Sequence, residues 1–256
     1  MFCLRIFLHF DYNICNKFKK KDLMIYHSLT QKHWLVLAVL TIAIFLASIN
    51  PLEFQSYLLH QVGTVLMLIA LFYCLKKIGL SFSSFALYTV FLLIHVIAAH
   101  YLYSYVPYND WAIKYFGFDL NQAMGWTRNM FDRFVHFFYG LLLYPFFYRL
   151  FQVWLPSLKP KVLFLLIIQF VMASSLFYEW IEWWIAIGLS PEEAENYNGQ
   201  QGDIWDAHKD MFLATIGAII TGIYMLIKKH LQSKCFSVFP LIPEGYADSA
   251  THSDQS

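Results

Sequence analysis

The sequence predicts an all-α fold: a polytopic integral membrane protein of about six transmembrane helices with both termini cytoplasmic. Three observations carry that reading. The 256 residues are 59% hydrophobic and only 14% charged, with a mean hydropathy of +0.49, where soluble domains average roughly 25% charged residues. Six apolar runs approach the ~20 residues that a helix needs to cross hydrocarbon. Lysine and arginine also collect on alternate connections between those runs. A formal net charge of +1 gives no reason to expect a nucleic-acid partner.

Residues 1–33 read as a cytoplasmic tail. Its basic cluster Lys17, Lys19, Lys20 and Lys21 follows the short apolar stretch instead of preceding it, unlike a signal peptide. Met24 is an alternative start, which would make residues 1–23 a start-site artefact. Residues 34–230 form the membrane domain, with runs at Trp34–Ile49, Leu52–Leu75, Ser83–Tyr103, Phe134–Trp154, Val162–Leu189 and Met211–Ile227. The first is marginal in length and the fifth is long. Asn50-Pro51 marks the first turn, because proline disfavours helical geometry in the residue before it. Residues 231–256 read as a polar, disordered cytoplasmic tail.

Fourteen of the 18 lysines and arginines fall on one side of this layout; Lys114, Arg128, Arg133 and Lys209 fall on the other. The positive-inside rule then places the termini in the cytoplasm and the segments Ser104–Phe131 and Ser190–Lys209 outside. The second of these is acidic, with Glu192, Glu193, Glu195, Asp203 and Asp206. Cys3, Cys15, Cys74 and Cys235 show no metal spacing and fall near the reducing side, so no disulfide framework is expected.

The ionisable residues in or beside the runs gather in the outer leaflet. Asp132 and His136 are four apart at the head of the fourth run, so the carboxylate can hydrogen-bond the ring and fix its tautomer, as general acid–base chemistry requires. Glu179 and Glu182 share a face of the fifth run, where they would hold a proton, meet a cation or pair with Arg133. The three-then-four spacing of Asp203, Asp206 and Asp210 puts them on one helical face, and the stripe continues as Ala214, Ala218 and Gly222, small residues that admit a close neighbour in lipid. His136, Asp132 and Glu179 are thus the candidate catalytic groups. Glu179, Glu182, Asp203, Asp206 and Asp210 are candidate ligands for a divalent metal ion, although the residue types do not choose among magnesium, calcium, zinc, manganese and iron. Each feature also has a plainer explanation: acids favour helix N-termini, and Trp180, Trp183 and Trp184 look like an interfacial belt.

No nucleophile elbow, H-E-x-x-H or P-loop is present. The blocks RNMFDRFVHFFYG (Arg128–Gly140), LFYEWIEWW (Leu176–Trp184) and GQQGDIWDAHKDMFLATIGA (Gly199–Ala218) resemble bacterial inner-membrane proteins of the YjdF type, over roughly residues 34–230. More distantly, D-R-x-x-H-F followed by a helix-borne glutamate and D-x-x-x-D resembles VanZ-like proteins, with Asp210 departing from the asparagine common there. The resemblance implies a multi-pass protein of the cell inner membrane and no particular reaction.

Three functions fit. The first is an externally facing acidic and histidine site acting on a lipid or lipid-linked envelope substrate, with metal assistance. The second is a proton- or cation-coupled transporter. The third is a structural or partner-binding membrane protein whose buried polar groups fix packing. The bilayer itself is the partner common to all three.

Overall fold

The computed structural model describes residues 24–190, 194 and 197–238, with side chains through Ser233. The expectations for residues 1–23, for Glu192, Glu193 and Glu195, and for the thiols Cys3, Cys15 and Cys235 lie outside the described residues; Cys74 is free and buried. Eight helices are described: α1 (Gln31–Ala47), α2 (Phe54–Lys77), α3 (Phe82–His100), α4 (Tyr108–Phe116), α5 (Leu120–Met124), α6 (Phe131–Trp154), α7 (Pro160–Gly188) and α8 (Asp206–Val238). A two-residue strand pair, β1 (Ile25–Tyr26) with β2 (Leu80–Ser81), runs antiparallel ahead of α3. The chain divides into a unit Met24–Gly222 and a second unit whose described part is the helical stretch from Ile223 to Val238. The expected tail boundary at residue 231 therefore falls inside a helix.

Local chemistry sets the helix boundaries. Glu53 caps α2 by accepting from the amides of Gln55 and Ser56 at 2.9 and 2.6 Å, and Ser81 caps α3 through the Ser84 amide at 3.1 Å, each satisfying donors that a helix start leaves free. Pro160 opens α7 at a position where its missing N–H costs nothing. Helices α2, α3, α6, α7 and the stretch Asp206–Ser233 of α8 are long and apolar enough to cross a membrane. α1 has 17 residues, about 26 Å of helix against a hydrocarbon core of roughly 30 Å. The segment between α3 and α6, expected as a long connection, carries the two short helices α4 and α5.

α3 packs against α1, α2 and α6, and α6 meets α8 at very short range. A Cβ on Gly140 would collide with the backbone carbonyl of Ala214, and one on Gly217 with that of Phe137. Ala214 and Ala218 are fully buried. The small-residue stripe thus does face a neighbour, with Gly217 as an additional contact beside it. Pro145 lies inside α6 and cannot supply the amide that would normally bond the carbonyl of Leu141. Thr221 on α8 donates to that carbonyl at 2.7 Å, so the bond lost within one helix is replaced from its neighbour.

Two tests follow from this contact. Thr221→Val should destabilise the protein by about 1–2 kcal/mol, and by clearly less in a Pro145→Ala background, where the α6 amide returns; unfolding in detergent across the double-mutant cycle measures the coupling. Gly140→Ala and Gly217→Ala should each cost about 1–3 kcal/mol through overpacking, whereas Gly188→Ala, with open space around it, should leave stability unchanged or raised.

Candidate functional site

The start of α6, the last turns of α7 and the start of α8 meet at one end of the bundle. They bring the acidic residues together in two groups with different electrostatic character.

The first group is neutralised by arginine. Asp206, the first residue of α8, accepts from Arg128 Nη1 at 2.6 Å and from Arg133 Nη2 at 3.0 Å. Asp203 precedes the helix, so the expected three-aspartate face reduces to Asp206 and Asp210. Asp203 bonds Arg133 Nη2 and accepts from Lys209 Nζ at 2.6 Å. The Lys209 ammonium and the Arg133 guanidinium hold its carboxyl well below the usual carboxylate range. Arg133 is therefore the partner of these aspartates and not of Glu179 or Glu182. Arg128 also donates to the carbonyls of Gln200 at 2.9 Å and Gly199 at 3.1 Å. Gly199 has φ +64°, and a Cβ there would strike the Ser104 hydroxyl, which itself donates to the Gly199 carbonyl at 3.1 Å. One guanidinium thus ties the loop before α8 to the entry of α6.

In the second group, among the described residues, no arginine or lysine makes an ion pair. Asp132, His136 and Asp210 are all buried, and one ligand atom from each lies within 4.8 Å of the others. His136 Nε2 is 3.7 Å from Asp132 Oδ1 and 3.9 Å from Glu179 Oε1. The first distance is too long for the hydrogen bond anticipated from the i, i+4 spacing, so the carboxyl and the ring stand close together without a direct bond. Asp210 Oδ1 and Glu179 Oε1 are buried without a hydrogen-bond partner. Carboxylates gathered this closely in a poorly polarisable setting require protons or a cation between them. Asp132, His136 and Asp210 could hold a metal ion, with Glu179 beside them.

A cavity of about 220 Å³ adjoins this group, lined by Glu179, Glu182, Trp183, Asn198, Gln200, Asp206, Ala207 and Asp210. Trp183 is 59% exposed on the apolar flank of α7, so one wall of the cavity borders the lipid-facing surface. Residues not singled out from sequence also converge here. Arg128 does so through loop carbonyls that no spacing rule reveals. Tyr103, Tyr178 and Tyr197 were hidden by the high aromatic content; Tyr103 is buried and hydrogen-bonds Nδ1 of His95.

Because Arg128 donates to both the Gly199 and the Gln200 carbonyls, Arg128→Ala should raise amide hydrogen exchange across Gly199–Asp203 by about tenfold or more. Arg133→Lys, which keeps a charge beside Asp203 and Asp206, should raise it less.

The family model for a predicted membrane protein, DUF2238, matches residues 32–230. The inner membrane protein YjdF of Escherichia coli (strain K12) is 26% identical over 186 residues, covering 73% of this chain and 85% of that protein. No solved structure matches the chain significantly. With that match across most of its length and five apolar helices of spanning length, the chain is a multi-pass inner-membrane protein and belongs to the DUF2238 family.

Proposed function

We propose that the un-neutralised acid and histidine group is a metal-assisted acid–base centre acting on a lipid or lipid-linked substrate of the cell envelope. The observation that carries this reading is the buried trio Asp132, His136 and Asp210, whose ligand atoms lie within 4.8 Å of one another while Arg128 and Arg133 are committed to Asp203 and Asp206. Two carboxylates and an imidazole suit a hard or borderline divalent cation such as magnesium, manganese or zinc. When bound, such an ion supplies Lewis-acid polarisation of a substrate oxygen. Glu179, with an unpartnered oxygen 3.9 Å from the His136 ring, is placed to accept or return the proton of the reacting group.

The lipid substrate class rests on the cavity's position. Its polar wall comes from Glu179, Glu182, Asp206 and Asp210, and its outer wall includes the exposed Trp183. A polar head group would meet the acids while its acyl or prenyl chain stays in the bilayer. The lysine and arginine asymmetry supports an orientation with this end of the bundle away from the cytoplasm.

Elemental analysis of protein dialysed against each divalent metal should find close to one ion per chain. Asp210→Asn and His136→Ala should each weaken binding by about tenfold or more, within the range seen for loss of a ligand or its support. Cells carrying these variants should show a changed envelope-lipid profile by mass spectrometry. Metal content at background for every ion, together with an unchanged lipid profile, would sink the proposal.

A further inference from the structure

The wall of the cavity is rich in hydrogen-bond acceptors and poor in positive charge. α7 contributes Glu179 and Glu182, the loop before α8 contributes Asn198, and the start of α8 contributes Asp206 and Asp210. Of these acids only Asp206 is ion-paired to arginine among the described residues, and Arg128 and Arg133 already hold it. No lysine or arginine lines the cavity. Three oxygens on its wall, Glu179 Oε1, Asn198 Oδ1 and Asp210 Oδ1, are buried without a hydrogen-bond partner. Asp210 is only 2% exposed, so bulk water does not relieve it.

Those groups discriminate among head groups. A phosphate would set oxygen against oxygen and add negative charge to an acidic wall, a combination that burial makes costly. A hydroxyl has one hydrogen to give and no charge. A quaternary ammonium has the charge but no N–H, and would leave the three oxygens unpartnered. A primary ammonium has a positive charge, three hydrogens and nothing that accepts. A metal ion in the Asp132, His136 and Asp210 trio, the group of close ligand atoms among the described residues, would account for only part of this wall, because Glu182 and Asn198 lie outside it. Trp183 adds the aromatic surface that a cation and its methylenes favour. At about 220 Å³, the cavity is smaller than the roughly 300–1,000 Å³ of pockets that enclose drug-sized ligands, so it admits a small head group and not a whole lipid.

We infer that the cavity is a binding site for a primary alkylammonium group, held by Glu182, Asn198 and the unpartnered oxygens of Glu179 and Asp210, and that the head group it takes from the bilayer is an amine of the ethanolamine type. The ammonium enters the acidic interior, and any phosphate on the same head group stays at the mouth. The lipid source follows from Trp183, which is 59% exposed on the apolar flank of α7 and opens the cavity towards acyl chains. This inference deepens the proposed function and rests on its assignment of the cavity to the substrate head group. The binding itself needs neither a metal ion nor turnover.

Native mass spectrometry of the full chain, released in the presence of a chelator from nanodiscs that mix three lipids with identical chains, tests this. Phosphatidylethanolamine should be retained about tenfold or more over phosphatidylcholine, which lacks an N–H, and over phosphatidylglycerol, which lacks a cation. Asn198→Leu and Glu182→Gln should each remove most of that preference; if one of them fails to fold, the other decides. Saturation-transfer NMR with ethanolammonium in phosphatidylcholine nanodiscs separates the two sources: a signal that Asn198→Leu or Glu182→Gln abolishes, without any lipid preference, keeps the ammonium site and assigns it to a free amine. Equal retention of the three lipids together with no such signal overturns the inference, as does a preference and a signal that both variants leave unchanged. Because chelator is present throughout, background metal content would sink the metal-assisted centre and leave this result standing, whereas one ion per chain with no ammonium preference would do the reverse.

Discussion

The arrangement at this end of the bundle follows from an imbalance of charge. Two arginines face a larger number of acids, and both are spent on Asp203 and Asp206. Asp132, Glu179, Glu182 and Asp210 make no direct ion pair with either arginine, and His136 stands beside Asp132 and Glu179. Isolated charges in such surroundings are costly, and fixed partners normally offset them. Here the partners are each other, two unpartnered oxygens and a cavity. A protein selected for stability alone would do better with apolar residues of similar size, so the retained imbalance is itself an argument that the group does chemistry.

The same accounting explains why tyrosines surround the acids. A hydroxyl both donates and accepts, so it can satisfy a carboxyl in either protonation state without adding charge. Tyr178 stands one turn before Glu182 on α7, where a hydroxyl keeps that tolerance and a lysine or arginine would fix the acids as carboxylates. The division of labour is spatial: guanidinium groups hold the loop before α8, and the Tyr103 hydroxyl bonds the His95 imidazole on α3.

Much of the architecture was legible in the sequence because membrane helices announce themselves by length and composition. The helices fall where the apolar runs lie, and the resemblance in the three motif blocks agrees with the family match over residues 32–230. Spacing along one helix was less informative about contacts. It put Asp132 and His136 on one face, but a shared face does not set side-chain rotamers, and the atoms stand 3.7 Å apart. It also extended the aspartate face to Asp203, which precedes α8, because a helical period does not mark where the helix begins. The Arg128 bonds to Gly199, Gln200 and Asp206 join residues more than 70 positions apart, and no one-dimensional pattern carries such pairings.

The stripe of small residues on α8 takes on a different meaning once its partner is known. Along α6 the four-residue ladder runs Asp132, His136, Gly140; along α8 it runs Asp206, Asp210, Ala214. The closest backbone approach joins Gly140 to Ala214, one turn, or about 5.4 Å, beyond His136 and Asp210. Two helices pinned together at that level have little freedom to separate one turn away. The distance between the imidazole and the aspartate is therefore set by a contact between residues that carry no functional group. A side chain added at Gly140 would push on the Ala214 backbone and so spread His136 from Asp210. The glycine acts as a spacer for the site as well as a packing residue, and Thr221, by answering the carbonyl that Pro145 leaves open, fixes the register of the same pair of helices from the other side.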